Sequence, residues 1–194
     1  MPSPEGSEKA RVSDDVMAAI YVIGRLPLQE APVDMQHLYL VGGSFQGSPG
    51  YRGADFSGAA LFATNFSGAE LTNAVFDGAQ MSDWESVGSE RWNDGKLAIE
   101  WAKSKGWERV QYVVLFDWAN LTNASFKGTS VAGASFEHAD LTNTVIDQTD
   151  LSLADFQHAR NLDKAIFRMS CFQAEAKPIG LSEDTISKLA SPCP

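Results

Sequence analysis

A chain of 194 residues with 44% hydrophobic and 21% charged residues has the balance of a folded protein, which excludes the disordered class. The net charge of −10 argues against nucleic acid as a direct ligand and favours a basic partner. Two cysteines, Cys171 and Cys193, are too few for a disulfide framework, show no metal-ligand spacing and are compatible with a reducing cytosol.

The N-terminus, MPSPEGSEKA, has no basic stretch followed by a hydrophobic core, so no signal peptide is expected. The most apolar run, Val16–Gly24, is about half the length that a membrane span requires. A cytoplasmic protein without membrane contact is the expectation. Val12-Ser13-Asp14-Asp15 reads as a helix start, with Val12 placed to staple Met17. Val16, Ala19, Ile20 and Ile23 form the predicted apolar stripe of this helix, within an N-terminal region 1–32.

From residue 33 a beat of five takes over. Met35, Leu40 and Phe45 lead into Phe56, Leu61, Phe66, Leu71, Phe76 and Met81, after a slip at QGSPG. Each large residue from Phe56 onward follows a small one by two positions: Ala54, Ala59, Thr64, Ala69, Ala74 and Ala79. An α-helix rotates about 100° per residue, so five steps would scatter these side chains around its cylinder. A flat strand would send successive members to opposite faces. A chain that turns a corner every five residues keeps them all inside. Four such sides close a coil of twenty residues, and coils stack into a tube.

The beat stops after Met81 and resumes at Phe116, running through Leu121, Phe126, Val131, Phe136, Leu141, Ile146, Leu151 and Phe156. It then slips, with Leu162 and Phe167 as the next expected core residues. Leu71-Thr72-Asn73, Leu121-Thr122-Asn123 and Leu141-Thr142-Asn143 share one face only if about thirty residues leave the wall between Met81 and Phe116. This predicts one tube over 33–172 interrupted by an insertion over 82–115, which Asn93-Asp94-Gly95 and the Leu97/Ala98/Trp101/Ala102 face mark as helical. In the C-terminal segment 173–194, Leu181-Ser182-Glu183-Asp184 repeats the helix-start grammar. Helices at both ends are expected to cap the tube, with a homodimer through a terminal helix as the competing role.

The units ADFSG, ANLTN, ASFKG, ADLTN and ADFQH resemble the pentapeptide-repeat proteins, whose tandem units approximate A-(D/N)-L-x-x. The resemblance covers roughly residues 33–167 apart from the gap. It implies a mainly β fold, a right-handed quadrilateral β-helix. Some members of that family bind DNA gyrase by mimicking duplex DNA, which implies a resistance or immunity factor as an alternative function.

All five tryptophans, Trp84, Trp92, Trp101, Trp107 and Trp118, fall in or beside the insertion and are candidate partner-binding residues. The bland alternative is that they pack on the outside of the tube. Trp118, His138 and His158 are spaced by twenty and predict a surface column, either a simple aromatic ladder or a metal or pH-sensitive patch. His37 belongs elsewhere on the tube. No nucleophile elbow, P-loop, paired-cysteine or His-Glu metal signature occurs, so neither catalysis, a cofactor nor a metal is expected. Outside the insertion, segments 33–81 and 116–167 carry eleven acidic and four basic residues, a net of −7. Duplex DNA of the same length, about 24 Å, carries about 14 phosphates. The sequence therefore favours a non-catalytic scaffold that presents its tryptophan-rich insertion to a protein partner over the DNA mimic.

Overall fold

Each five-residue unit makes one side and one corner of a square coil. In the unit around Phe56, Asp55 pairs with the coils on either side, Phe56 points inward, Ser57 and Gly58 turn the corner, and Ala59 N–H closes the turn on Phe56 O at 3.0 Å. The second corner residue lies in the left-handed region, at φ 65° for Gly58 and 61° for Asn73, where glycine and asparagine are least strained. The polar residue before the core position has a structural task of its own. Asp55 Oδ1 accepts from Ser57 N–H at 2.9 Å, Asn65 from Ser67 at 2.8 Å, and Asp150 from Ser152 at 2.9 Å. These bonds satisfy corner N–H groups that no neighbouring strand reaches, which explains the Asp/Asn preference of the unit.

The computed structural model describes residues 13–26, 31–82, 113–174 and 176–193. Parallel bridges stack the units into four faces. The first runs Asp34–Asp55–Val75–Ser125–Val145–Ile166, the second Tyr39–Ala60–Gln80–Ser130–Asp150–Cys171–Ala190. The third runs Ser44–Asn65–Leu115–Ser135–Asp155–Ile179, and the fourth Glu70–Asn120–Asp140–Arg160. Sides this short allow one bridge each in most coils. Among the described residues only β1 (Ser125–Lys127), β2 (Val145–Asp147) and β3 (Ile166–Arg168) extend to three-residue strands, in a parallel sheet of order β1-β2-β3.

Gln80 pairs with Ala60 and Ser130, and Leu115 with Asn65 and Ser135. Met81 and Phe116 are therefore consecutive inward corners of one coil, and Leu71 N–H donates to Asn120 O at 2.9 Å in the next layer. The wall is continuous across the break in the repeat. The helical character expected for 82–115 falls on residues outside those described, apart from its ends.

The interior is two phenylalanine columns flanked by aliphatic ones. Phe45, Phe66, Phe116, Phe136 and Phe156 stack at centroid spacings of 4.6–5.2 Å. Phe56, Phe76 and Phe126 stack likewise at 5.0 and 4.9 Å, and the two columns meet edge to face, as in Phe66–Phe76 at 5.6 Å. Threonine replaces alanine at some small inward positions because its hydroxyl finds a carbonyl of the preceding coil: Thr144 reaches Leu121 O at 2.8 Å and Thr149 reaches Phe126 O at 2.7 Å.

At one end, α1 (Asp14–Ile23) lies on the first coil. Ile20 is buried, with Met17 and Ile23 packed against the same core, whereas Val16 and Ala19 are exposed. The buried stripe is thus rotated from the one read in the sequence. The contact that sets this rotation is tertiary: Gly24 sits so close to Ser48 and Tyr51 that a Cβ would collide with both. Tyr51 takes an inward corner position, and its hydroxyl donates to Ile20 O at 2.6 Å. Burial pushes the pKa of this phenol up. Ser13 occupies the N-cap position without a side-chain cap bond.

At the other end the wall pairing continues past residue 172, since Ile179 pairs with Asp155 and Ala190 with Cys171. The short helix α2 (Glu183–Ser187) follows Ser182, whose Oγ accepts from Thr185 N–H at 3.2 Å. Cys171 and Cys193 are joined in a disulfide across 22 residues. The sequence does not announce this pair, whose count and spacing point neither to a disulfide nor to a metal. Among the described residues no helix is long and apolar enough to cross a membrane.

Phe116 lies between Phe66 and Phe136 at the first inward corner after the break. Phe116→Ala is expected to cost about 3–5 kcal/mol in urea denaturation. A loss below about 1 kcal/mol would show that the stack is interrupted there.

Candidate functional site

The corner between the third and fourth faces carries an aromatic ladder. Trp118 stacks on His138 with ring centroids 4.0 Å apart and planes at 21°, and His138 stacks on His158 at 5.2 Å and 16°. The register explains why. Trp118 N–H donates to Glu137 O at 2.9 Å and His138 N–H to Gln157 O at 3.3 Å, so the three residues sit on successive rungs. In the two preceding coils the same corner holds Gly68 and Gly47, which offer no side chain to the stack.

The backbone at these positions is left-handed, as it is at the second corner residue elsewhere on the tube, Ala63, Gln148 and Leu153 included. Trp118, His138 and His158 adopt φ of 62°, 59° and 58°, in the left-handed region that Gly68 and Gly47 occupy at 67° and 60°. A bulky residue there costs about 1–2 kcal/mol relative to glycine. A further cost accompanies it at Trp118, where the indole is 64% exposed and leaves apolar area in water, whereas His138 is half-buried and His158 exposed. Ring stacking returns only about 0.5–1.5 kcal/mol per pair. Three aromatic rings thus stack along one corner of the tube, in left-handed backbone.

Acidic groups flank the ladder. Glu137 Oε1 lies 3.5 Å from His138 Nε2. Asp117 is held by the Ser135 hydroxyl and by Glu137 N–H. On the fourth face, burial raises the pKa of Asp140, but it is outweighed by hydrogen bonds from the Thr142 hydroxyl, the Asn161 amide and Thr142 N–H, with Arg160 adding its charge. The net result holds the Asp140 carboxyl below the usual carboxylate range. An exposed indole face beside carboxylates suits a cationic or aromatic group, arginine above all.

Of the residues expected to bind a partner, the structure brings Trp118, His138 and His158 together, while Trp84, Trp92, Trp101 and Trp107 lie outside the described residues. His37 sits at the corner between the first and second faces, against Gly58, where a Cβ would run into its imidazole. The sequence reading missed the backbone strain. Its signal was present: the position two after each core residue is glycine at Gly58, Gly68, Gly78 and Gly128, and aromatic at this corner alone in three successive coils.

The acidic residues are spread over all four faces, with Asp155 on the third, Asp140 on the fourth, Asp147 on the first and Asp150 on the second. Several are engaged by the wall, as Asp55, Asp140 and Asp150 show.

The family model for pentapeptide repeats matches the chain in eight copies over residues 52–83 and 119–157. No curated protein matches the sequence. Two trypsin-treated variant structures of QnrB1, a plasmid-mediated fluoroquinolone resistance protein, align with TM-scores of 0.51 and 0.52 at 20% and 21% identity. Both alignments cover 73% of this chain and 56% of QnrB1, so the chain spans little more than half the length of that protein. A pentapeptide-repeat protein, Rfr23, from the cyanobacterium Cyanothece aligns over 76% of this chain and 84% of its own at 14% identity, with a TM-score of 0.30. Proteins of this kind adopt a right-handed quadrilateral β-helix, the architecture to which the four-faced coil corresponds.

Two outcomes follow for the corner. Because Trp118 has positive φ, Trp118→Gly is expected to be more stable than Trp118→Ala by about 1 kcal/mol, reversing the usual order. Equal or inverted thermal stabilities would show that the corner is unstrained. Asp140→Asn should destabilise the protein at neutral pH, because a depressed folded pKa stabilises above the unfolded value of about 3.9. That difference should shrink as pH falls below about 4, through the lower folded pKa, in urea titrations run from pH 7 to pH 2.5. A difference independent of pH would assign the effect to packing.

Proposed function

Since the chain belongs to the pentapeptide-repeat proteins, we propose that it is a non-catalytic binding protein, a rigid tube that presents an aromatic edge to a basic protein partner. The observation that carries this reading is the Trp118–His138–His158 ladder, held in left-handed corner backbone with Trp118 exposed to water. The partner supplies an arginine or lysine that lies on the open indole face, with Glu137 and Asp117 providing the opposite charge. Preorganisation favours such contact, because rungs bonded on both sides lose little entropy when a partner docks. The insertion leaves the wall between Ser82 and Val113, and Leu115 leads directly into Trp118. Terminal helices α1 and α2 close the two ends of the tube against strand addition.

A second reading, protection of a topoisomerase by DNA mimicry, draws on the fold shared with QnrB1. The charge pattern supports it less, since the carboxylates lie on four faces and several are committed to corner hydrogen bonds.

Both readings are tested by capture of partners on the immobilised chain, compared with Trp118→Ala and with Trp101→Ala/Trp107→Ala, using His37→Ala as the control. Loss of the same captured protein in the Trp118 variant, and retention with the control, is the expected result. Retention of every partner by both tryptophan variants would make these rings structural. For the mimic, inhibition of gyrase supercoiling or rescue from a fluoroquinolone at micromolar protein would favour it over the scaffold, and the absence of both would remove it.

A further inference from the structure

We infer that Asp150, Cys171 and Cys193 form a binding site for a thiophilic divalent cation, zinc in the first instance, once the two cysteines are reduced. The second face of the tube brings them together. Cys171 occupies the rung after Asp150, and Ala190 pairs with Cys171 from the opposite side, which delivers Cys193 three residues later. The two sulfurs and a carboxylate oxygen all lie within 4.8 Å of one another. Cys171 is buried, and Asp150 and Cys193 are half-buried beside it.

The carboxylate is already oriented for such a role. Asp150 Oδ1 accepts from Ser152 N–H at 2.9 Å and from its hydroxyl at 2.6 Å, and the Ser152 hydroxyl oxygen accepts in turn from Gln173 N–H at 2.9 Å. Hydrogen bonds of this kind fix a ligating carboxylate, with Oδ2 left as the donor atom to metal. Zinc binds thiolate sulfur at about 2.3 Å and carboxylate oxygen at about 2.0–2.2 Å in a tetrahedron, which sets ligand atoms about 3.6–3.8 Å apart. The carboxylate therefore needs to approach the sulfurs by little more than an ångström. The sulfurs need to part from bonding distance, a movement that side-chain rotation of the half-buried Cys193 supplies. Three protein ligands leave one position for water.

A dithiol reductant supplies two electrons and two protons, the sulfur–sulfur bond breaks to two thiols, and the reductant becomes a disulfide. Zinc then displaces both thiol protons to solvent. Two thiolates beside a carboxylate repel one another, and the cation removes that repulsion. The tail that carries α2 is thereby fastened to the last coils in either state, by a disulfide under oxidising conditions and by a metal under reducing ones.

Cobalt(II) titration of the full chain tests this, with the disulfide form and the form reduced by a phosphine compared under argon. The reduced chain should bind one cobalt per chain with near-ultraviolet thiolate-to-metal charge transfer, and one equivalent of zinc should bleach it. The disulfide form should show no such band, which no histidine elsewhere on the chain can imitate. Cys193→Ser should lose at least half of the band, and Asp150→Asn should weaken binding about tenfold or more, with circular dichroism confirming that both remain folded. Absence of the band in the folded, reduced wild type would overturn the site. Unchanged affinity in Asp150→Asn would overturn the three-ligand assignment.

Discussion

The constraint on which the rest of this structure depends is the hydrogen-bonded stacking of one coil on the next. Each side of the square is too short to form a sheet within its own coil, so every bridging residue finds partners only above and below. Once Asp55 pairs with Asp34 and Val75, the inward residue beside it has no freedom of depth or direction. Phenylalanines then stack at 4.6–5.2 Å because their backbones stand one rung apart. Packing and ladder are thus the same periodicity expressed in side chain and backbone. The corner completes the scheme. A left-handed residue turns the chain, and an Asp or Asn before the core position satisfies the N–H that the turn exposes.

The same constraint turns the outside of the tube into a set of ladders. Asn73, Asn123 and Asn143 bond side chain to side chain at 3.0 and 3.2 Å along one corner. Along another, Trp118, His138 and His158 stack ring on ring. The asparagines suit their corner: left-handed backbone costs them little, and their amides bond one another. The aromatic corner has no such economy. It combines left-handed backbone with an exposed indole at Trp118, and ring stacking returns little. The charge around it, from Glu137, Asp117 and Asp140, gives that edge a preference for cations without making the whole tube a polyanion.

At its ends the tube departs from strict repetition, and chemistry that the repeat lacks appears there. Tyr51 replaces an aliphatic residue at an inward corner, and its hydroxyl ties the first coil to α1 through Ile20 O. At the other end the unit that would hold Asp or Asn before Phe172 holds Cys171 instead, directly over Asp150. A position used elsewhere for turn hydrogen bonds there becomes a covalent tie to the tail. The two cysteines are separated by a segment whose phase is irregular, so no spacing in the sequence connects them.

The period of five, read without coordinates, determined which residues point inward, because no helix or flat strand can bury that pattern and a cornered coil must. It also determined the register across the break, since the three Leu-Thr-Asn units align only when the intervening residues leave the wall. The ladder of Trp118, His138 and His158 followed from the same count of twenty. Tertiary structure alone decided the rotation of α1, where the close approach of Gly24 to Ser48 and Tyr51 keeps Ile20 and Ile23 of the expected stripe on the core but brings Met17 to it in place of Val16 and Ala19. It alone decided that the wall continues to Ile179 and Ala190, and that Cys171 meets Cys193. The physical reason is that a repeat encodes its neighbours at a fixed distance along the chain. Helix rotation and the pairing of irregular segments depend on contacts for which the chain holds no period.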